Sequence, residues 1–292
     1  MKILFGRRIV TTILLAMLLT AAALGKERPP NVVLFLVDDL GWSDLGCYGS
    51  SFYETPQIDR FAEEGVRFTQ AYAACHVCSP TRASIMTGKY PARLHLTDWV
   101  PGRQDFPFQK LRNAAIHQHL PLAEETIAEA LKQHGYRTAH IGKWHLGEDP
   151  HGPTAQGFDV RIPRWNKGWP KAGYHAPFEL DGLECKQGEY LTDRLTDEAE
   201  SFIEANQRRP FFLYLSHFAV HDPLQGREDL VAKYAKKRAE RQASGSAAYI
   251  LEENPDKKAS LTREELNERL EKPAWSGYRV FPDGTVKIKQ RQ

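Results

Sequence analysis

Two uninterrupted apolar runs constrain this chain more than any other feature: Asn31 to Val37 (NVVLFLV) and Phe211 to Ser216 (FFLYLS). A strand with one wet face alternates apolar and polar residues, so a continuous run predicts a strand covered on both faces of a sheet. Tyr136 to Ile141, which is not a continuous apolar run, is expected as a further strand. Between these runs lie helix signals. Thr55-Pro56 opens a helix that Gly65 ends, and Ser79-Pro80 opens one that Gly88 ends. Thr126 and Glu129 form a capping box, with Ile127, Ala130 and Leu131 as the apolar face up to Gly135. A longer helix is expected over Leu191 to Asn206, with Leu195, Ala199, Phe202 and Ile203 turned inward. Strands alternating with helices predict an α/β fold whose central sheet is mostly parallel and flanked by helices.

The chain divides by character into three parts. Residues 1–25 read as a signal peptide: Lys2, Arg7 and Arg8 precede an apolar stretch from Ile9 to Leu24, and Ala23-Leu24-Gly25 offers small residues for cleavage. That stretch is shorter than the ~20 residues that span a bilayer. Cleavage is therefore expected over anchoring, with export to a periplasmic, extracellular or lysosomal space and no stable membrane association afterwards. The formal charge of +2 falls to −1 once the three basic residues Lys2, Arg7 and Arg8 are removed. A near-neutral mature chain argues against a nucleic-acid partner. Residues 26–223 carry the strand and helix signals of a core. Residues 224–292 are crowded with charge, as at Lys236-Lys237-Arg238, and show no further buried-strand run. A capping box at Thr262 and Glu265 opens a helix to about Glu271. In an exported chain the four cysteines, Cys47, Cys75, Cys78 and Cys185, point by default to disulfides, and spacing alone leaves three pairings open.

In open parallel sheets the ligand crevice lies beyond the carboxyl ends of the strands. Three strand ends here carry reactive residues. Asn31 to Val37 runs into Asp38-Asp39, Tyr136 to Ile141 into Gly142-Lys143-Trp144-His145, and Phe211 to Ser216 into His217 and His221. Adjacent carboxylates in a crevice repel unless a cation neutralises them, and hard oxygen donors suit Ca²⁺ or Mg²⁺. Cys78 sits at the start of a helix, where unpaired N–H groups and the dipole prepare a site for an anion, and Arg82 adds a fixed positive charge one turn later.

Cys78-Ser79-Pro80-Thr81-Arg82 resembles the sulfatase signature Cys-x-Pro-x-Arg, in which the cysteine is oxidised to formylglycine. Asn31–Gly41, Thr55–Phe68, Cys78–Gly88, Gly135–Gly147, Gly157-Phe158-Asp159 and Pro210–His221 resemble sulfatase segments in family order, over roughly Pro30 to Pro223. The resemblance implies a sulfatase/alkaline-phosphatase-like α/β fold and an arylsulfatase-like hydrolase of sulfate esters. It implies Asp38, Asp39 and the hydrate derived from Cys78 as metal ligands, with Ca²⁺ as the ion ahead of Mg²⁺. It also implies that Arg82 holds that hydrate, that Lys143 contacts the sulfate, that His145 hydrogen-bonds the hydrate and that His221 stands near the leaving oxygen. His217 has no family counterpart. A formylglycine-generating maturation enzyme follows as a partner, and a sulfated small molecule or sulfated carbohydrate as the substrate. Trp165, Trp169, Tyr174 and His175, in the loop from Arg161 to Asp181, offer surfaces for a sugar ring or for packing.

The sequence departs from the family after Pro223. The Asp-Asn pair that completes the family's metal site is absent: neither Asn254-Pro255-Asp256 nor Pro282-Asp283-Gly284 follows an apolar run. The expectation is an N-terminal portion of a sulfatase, with the C-terminal part of the fold missing and its activity in question. Two alternatives stand beside it: a non-catalytic sulfate-binding remnant, and a phosphate- or phosphonate-ester hydrolase of the same superfamily. A redox or structural disulfide between Cys75 and Cys78 is the weakest reading.

Overall fold

The structure, a computed structural model, describes residues 28–105 and 110–243 together with two short strands at 278–280 and 286–288. The export signal read over residues 1–25 and the helix expected from Thr262 lie outside the described residues. Four strands form one parallel sheet: β1 (Val32–Leu36), β2 (Arg137–Gly142), β3 (Val160–Ile162) and β4 (Phe211–Ser216), in the order β1-β4-β2-β3. Strand β3 follows no long apolar run and escapes a sequence reading.

Register fixes where the site forms. Leu36 pairs with Ser216 and Ser216 with Gly142, so β1, β4 and β2 end level with one another. The residues that follow, Asp38, His217 and Lys143, therefore leave the sheet on the same edge. Gly142 makes that alignment possible: a Cβ there would stand 1.8 Å from Ser216 O, and its φ is +111°.

Strand β4 lies between two neighbours and all six of its residues are buried. Its side chains alternate. Phe211, Leu213 and Leu215 pack with Ala139 and Ile141 against helix α4 (Leu191–Ala205), which buries Leu191, Leu195, Ala199 and Phe202. Phe212 and Tyr214 face the opposite layer with Trp144, Phe158, Ala83 and Met86. The last two belong to helix α2 (Cys78–Thr87). Strand β1 departs from the both-faces-buried expectation. It is an edge strand, and Val33 and Phe35 are 49% and 54% exposed, because α4 packs on β2 and β4 rather than on β1.

Local signals mostly hold, with one cap unmade and one helix start shifted. Helix α1 spans Pro56–Glu64, but the Thr55 hydroxyl does not cap it. That hydroxyl accepts from Gly46 N at 2.8 Å and donates to Asp59 at 3.0 Å. Helix α2 starts at Cys78, one residue before the expected Ser79 cap, and Ser79 Oγ accepts from Val100 N at 3.0 Å instead. Helix α3 (Ile127–Gln133) realises the capping box in both directions, at 3.2 and 2.8 Å. Past Ser216 come helix α5 (Glu228–Ala243) and an antiparallel pair, β5 (Tyr278–Val280) with β6 (Val286–Ile288), which the sequence reading did not anticipate. No helix among the described residues is long and apolar enough to cross a membrane.

Candidate active site

Backbone hydrogen bonds tie the three strand-end loops together. Asp38 N donates to Ala219 O at 2.8 Å, Val220 N to Asp38 O at 2.6 Å, and Lys143 N to Ser216 O at 2.7 Å. Asp39 and His145 hold left-handed backbone, with φ of 59° and 56°. That conformation costs an L-residue roughly 1–2 kcal/mol, and both instances fall where the site lies.

Asp38 is the buried centre. One carboxylate oxygen stands 3.2 Å from Arg82 Nη2 and the other accepts from Lys143 Nζ. Asp38, Arg82 and Lys143 are 7%, 1% and 0% exposed. Arg82 Nη1 also donates to Lys143 O at 2.8 Å and to the hydroxyls of Tyr214 and Ser216. Burial alone would raise the Asp38 carboxyl, but the Arg82 and Lys143 charges outweigh it and hold it below the ordinary carboxylate value. Asp39 behaves in the opposite way. Burial and the neighbouring Asp38 charge push it above the ordinary value.

Cys78 occupies the first position of α2, at the positive end of the helix. Donor atoms of Cys78, Asp38 and His221 all lie within 4.8 Å of one another. Burial raises the Cys78 thiol, yet the imidazoles of His145 and His221 and the Lys143 charge bring it down to about 5. The two histidines are pushed apart. Burial lowers His145, which favours its neutral form. Its Nε2 donates to Val100 O at 2.7 Å, which leaves the buried Nδ1 for Cys78. Burial also pulls His221 down, but Cys78 and the Asp222 carbonyl reverse the balance and raise it. Its Nδ1 donates to Asp222 O at 2.9 Å, and Nε2 lies 3.9 Å from Asp39. One histidine biased toward its neutral form and one biased toward its protonated form, beside one nucleophile, are the pairing that acid–base chemistry uses.

All the residues singled out from the sequence thus converge: Asp38, Asp39, Cys78, Arg82, Lys143, His145 and His221. His217, left outside, is buried against Phe35, and burial lowers it to about 4. The four cysteines are free thiols, so the default expectation of disulfides and the Cys75–Cys78 bridge are not realised. The cavity over Cys78 holds about 170 Å³, and His76, Trp99 and Trp169 line it beside the polar residues. Nothing in their sequence context singled out His76 or Trp99. Tyr214 and Ser216 were legible in principle, as the two hydroxyls on one face of an alternating strand. The aromatic loop splits. Trp169 reaches the cavity, and the Trp165 indole donates to Trp169 O at 2.6 Å. Tyr174 is buried and donates to His221 O at 2.9 Å, whereas His175 packs on Tyr190 away from Cys78.

Comparison with known proteins shows the family. A family model described as Sulfatase matches residues 30–271. The N-acetylgalactosamine-6-sulfatase of Canis lupus familiaris is 35% identical over 268 residues, covering 81% of this chain and 49% of that protein. A crystal structure of Ps i-CgsB in complex with k-i-k-neocarrahexaose shares 31% identity at a TM-score of 0.58, covering 72% of this chain and 49% of that one. A structure in complex with its substrate D-glucosamine-2-N,6-O-disulfate shares 30% identity at a TM-score of 0.57, covering 72% and 38%. This chain spans about half the length of the curated relatives it matches. With its signature cysteine, paired carboxylates and basic cradle on one edge of a parallel sheet, it belongs to the sulfatase family.

Proposed function

We propose that this site hydrolyses sulfate esters of carbohydrates, after a maturation enzyme has converted Cys78 to formylglycine. One observation carries the reading: the side chain at position 78 opens into a cavity lined by Asp39 and by two histidines of opposite protonation tendency, His145 and His221, while the charges of the buried Arg82 and Lys143, paired with Asp38, act on it from behind. The hydrate of an aldehyde at position 78 supplies one hydroxyl to attack sulfur and a second whose ionisation releases sulfate. Arg82 and Lys143 stabilise negative charge on the sulfuryl oxygens and need no reorganisation, being already locked by Asp38. His221, protonated, gives its proton to the departing sugar oxygen. His145, neutral, hydrogen-bonds the group at position 78. The names of the relatives and the ligands of the solved neighbours support a sulfated sugar as substrate. Within the same proposal, residues 1–25 direct export, 26–223 form the catalytic core and 224–292 are appended to it.

The donor chemistry fits a hard divalent cation, Ca²⁺ ahead of Mg²⁺. Asp38 and Asp39 supply carboxylate oxygens toward the about six to eight that Ca²⁺ takes, and Asp39 carries a charge that burial and Asp38 make unfavourable. Such an ion would polarise oxygen at position 78 and neutralise the sulfuryl group. A prediction follows from the sign of the Asp39 shift. A carboxyl raised on folding loses stability as pH climbs through its titration. Asp39→Asn is therefore expected to raise Tm in metal-free buffer near neutral pH and to abolish the Tm increase that millimolar Ca²⁺ gives the parent chain. Calorimetry with and without chelator checks both. A variant that loses stability in metal-free buffer, or retains the Ca²⁺ response, contradicts the assignment.

The modification is tested by expressing the chain with a formylglycine-generating enzyme and analysing the Cys78 peptide by mass spectrometry. A hydrazide-reactive aldehyde at position 78 is expected. Unmodified cysteine throughout overturns the reading.

A further inference from the structure

The cavity over Cys78, about 170 Å³, adjoins a second hollow of about 500 Å³. The two share His145, Gly168 and Trp169 as a common wall. The wall is fixed in place: a Cβ on Gly168 would meet the His145 ring at 2.4 Å, and the Trp165 indole holds the Trp169 carbonyl. Volume distinguishes the hollows. Pockets that enclose a small molecule usually hold about 300–1,000 Å³, so the first accommodates a sulfate group and the ring atoms next to it, while the second accommodates a further residue.

The chemistry of the second hollow is aromatic and close to neutral. His119 and His151 stack face to face with ring centroids 3.5 Å apart and planes at 22°, so the pair turns aromatic surface only on its outer sides. Trp169, 44% exposed, offers another apolar face on the shared wall. The carboxylates of Glu148 and Asp149 are matched by Lys167 and by Arg161, the latter at 2.8 Å. Asn166 Oδ1 accepts from Arg161 at 3.0 Å, and among the described residues no hydrogen bond engages its NH₂. Flat aromatic faces with amide donors between them suit a sugar ring, apolar on its faces and hydroxylated at its rim. They offer no concentrated positive charge for a second sulfate.

We propose that this hollow binds the sugar residue next to the sulfated one, so that the substrate is an oligosaccharide or polysaccharide rather than an isolated sulfated monosaccharide. The inference rests on the sulfate-ester reading. Trp169 would then serve as a specificity-determining residue between the two positions.

Isothermal titration of the full chain with paired probes tests it. The pairs are N-acetylgalactosamine 6-sulfate with a chondroitin 6-sulfate tetrasaccharide, N-acetylglucosamine 6-sulfate with a keratan sulfate tetrasaccharide, and galactose 4-sulfate with a carrageenan tetrasaccharide. At least one tetrasaccharide is expected to bind about tenfold or more tighter than its monosaccharide. His119→Ala combined with Asn166→Ala should remove that gain and leave the monosaccharide Kd unchanged, which also shows that the variant is folded. If the monosaccharides bind and no tetrasaccharide gains, or if the gain survives the double variant, the subsite is wrong and the sulfate-ester reading stands. If no probe of either kind binds, that reading falls and the subsite with it.

Discussion

Asp38→Asn is expected to be among the most destabilising single substitutions in the chain, at about 3–5 kcal/mol, because it leaves buried cations without their counter-charge. Arg82 and Lys143 are 1% and 0% exposed, and Asp38 is the carboxylate that compensates both. The amide is nearly isosteric, so packing is kept and charge alone is removed. Exposed ion pairs are worth about 0–1 kcal/mol, which sets the contrast. The pH dependence has the same origin. A carboxyl held below its unfolded value contributes stability above that value and loses it as pH falls through the folded one. With a reference of 3.8 and a downward shift, the Asp38 contribution should be intact at pH 5 and above and decline below about pH 4. Urea midpoints of parent and variant across this range check both statements. A loss below about 1 kcal/mol at pH 7 would mean that the carboxylate is solvated and the ion triad loose.

The second large effect concerns the unmodified thiol. An ordinary cysteine, with a pKa near 8.5, is only a few per cent ionised at pH 7, whereas Cys78 at about 5 is almost wholly thiolate there. Alkylation of Cys78 by iodoacetamide, followed by peptide mass spectrometry, should therefore show a rate that reaches its plateau before pH 7. Burial works against ionisation, and the His145 and His221 rings and the Lys143 charge work for it. Replacing either histidine by alanine is accordingly expected to move the inflection upward. A parent profile still climbing above pH 8 would show that these groups do not bear on the sulfur. Lys143→Met is less informative, since it also strips Asp38 of a partner.

What could be read from the sequence follows the range of the forces involved. The apolar run Phe211 to Ser216 specified a strand to the residue, because β4 lies between two others and its environment is uniform. The similar run from Asn31 gave the strand but misjudged its burial, because whether an edge strand is covered depends on elements far away in sequence. The Thr126 capping box was legible because both hydrogen bonds close within three residues. Thr55 and Ser79 had the same local credentials and were drawn off to Gly46, Asp59 and Val100 by tertiary contacts. Strand ends carrying Asp38-Asp39, Lys143 and His221 mark the candidate site in the sequence itself, since parallel strands in register must deliver their next residues to one edge. The Asp38–Arg82–Lys143 triad was not legible. Its members were known individually, but a pairing between residues 38, 82 and 143 exists only once the sheet is assembled. Trp99 and His76 reach the cavity from irregular loops without periodicity or motif.

The most direct test of the central claim is release of inorganic sulfate from 4-nitrocatechol sulfate by the aldehyde-bearing chain with Ca²⁺ present, run beside Cys78→Ala and beside 4-nitrophenyl phosphate. The predicted result is sulfate release that exceeds phosphate release and that Cys78→Ala lowers by about 10³-fold or more, as expected when the nucleophile itself is removed. Aldehyde-bearing protein that releases no sulfate above buffer, or a Cys78→Ala variant as active as its parent, would contradict it.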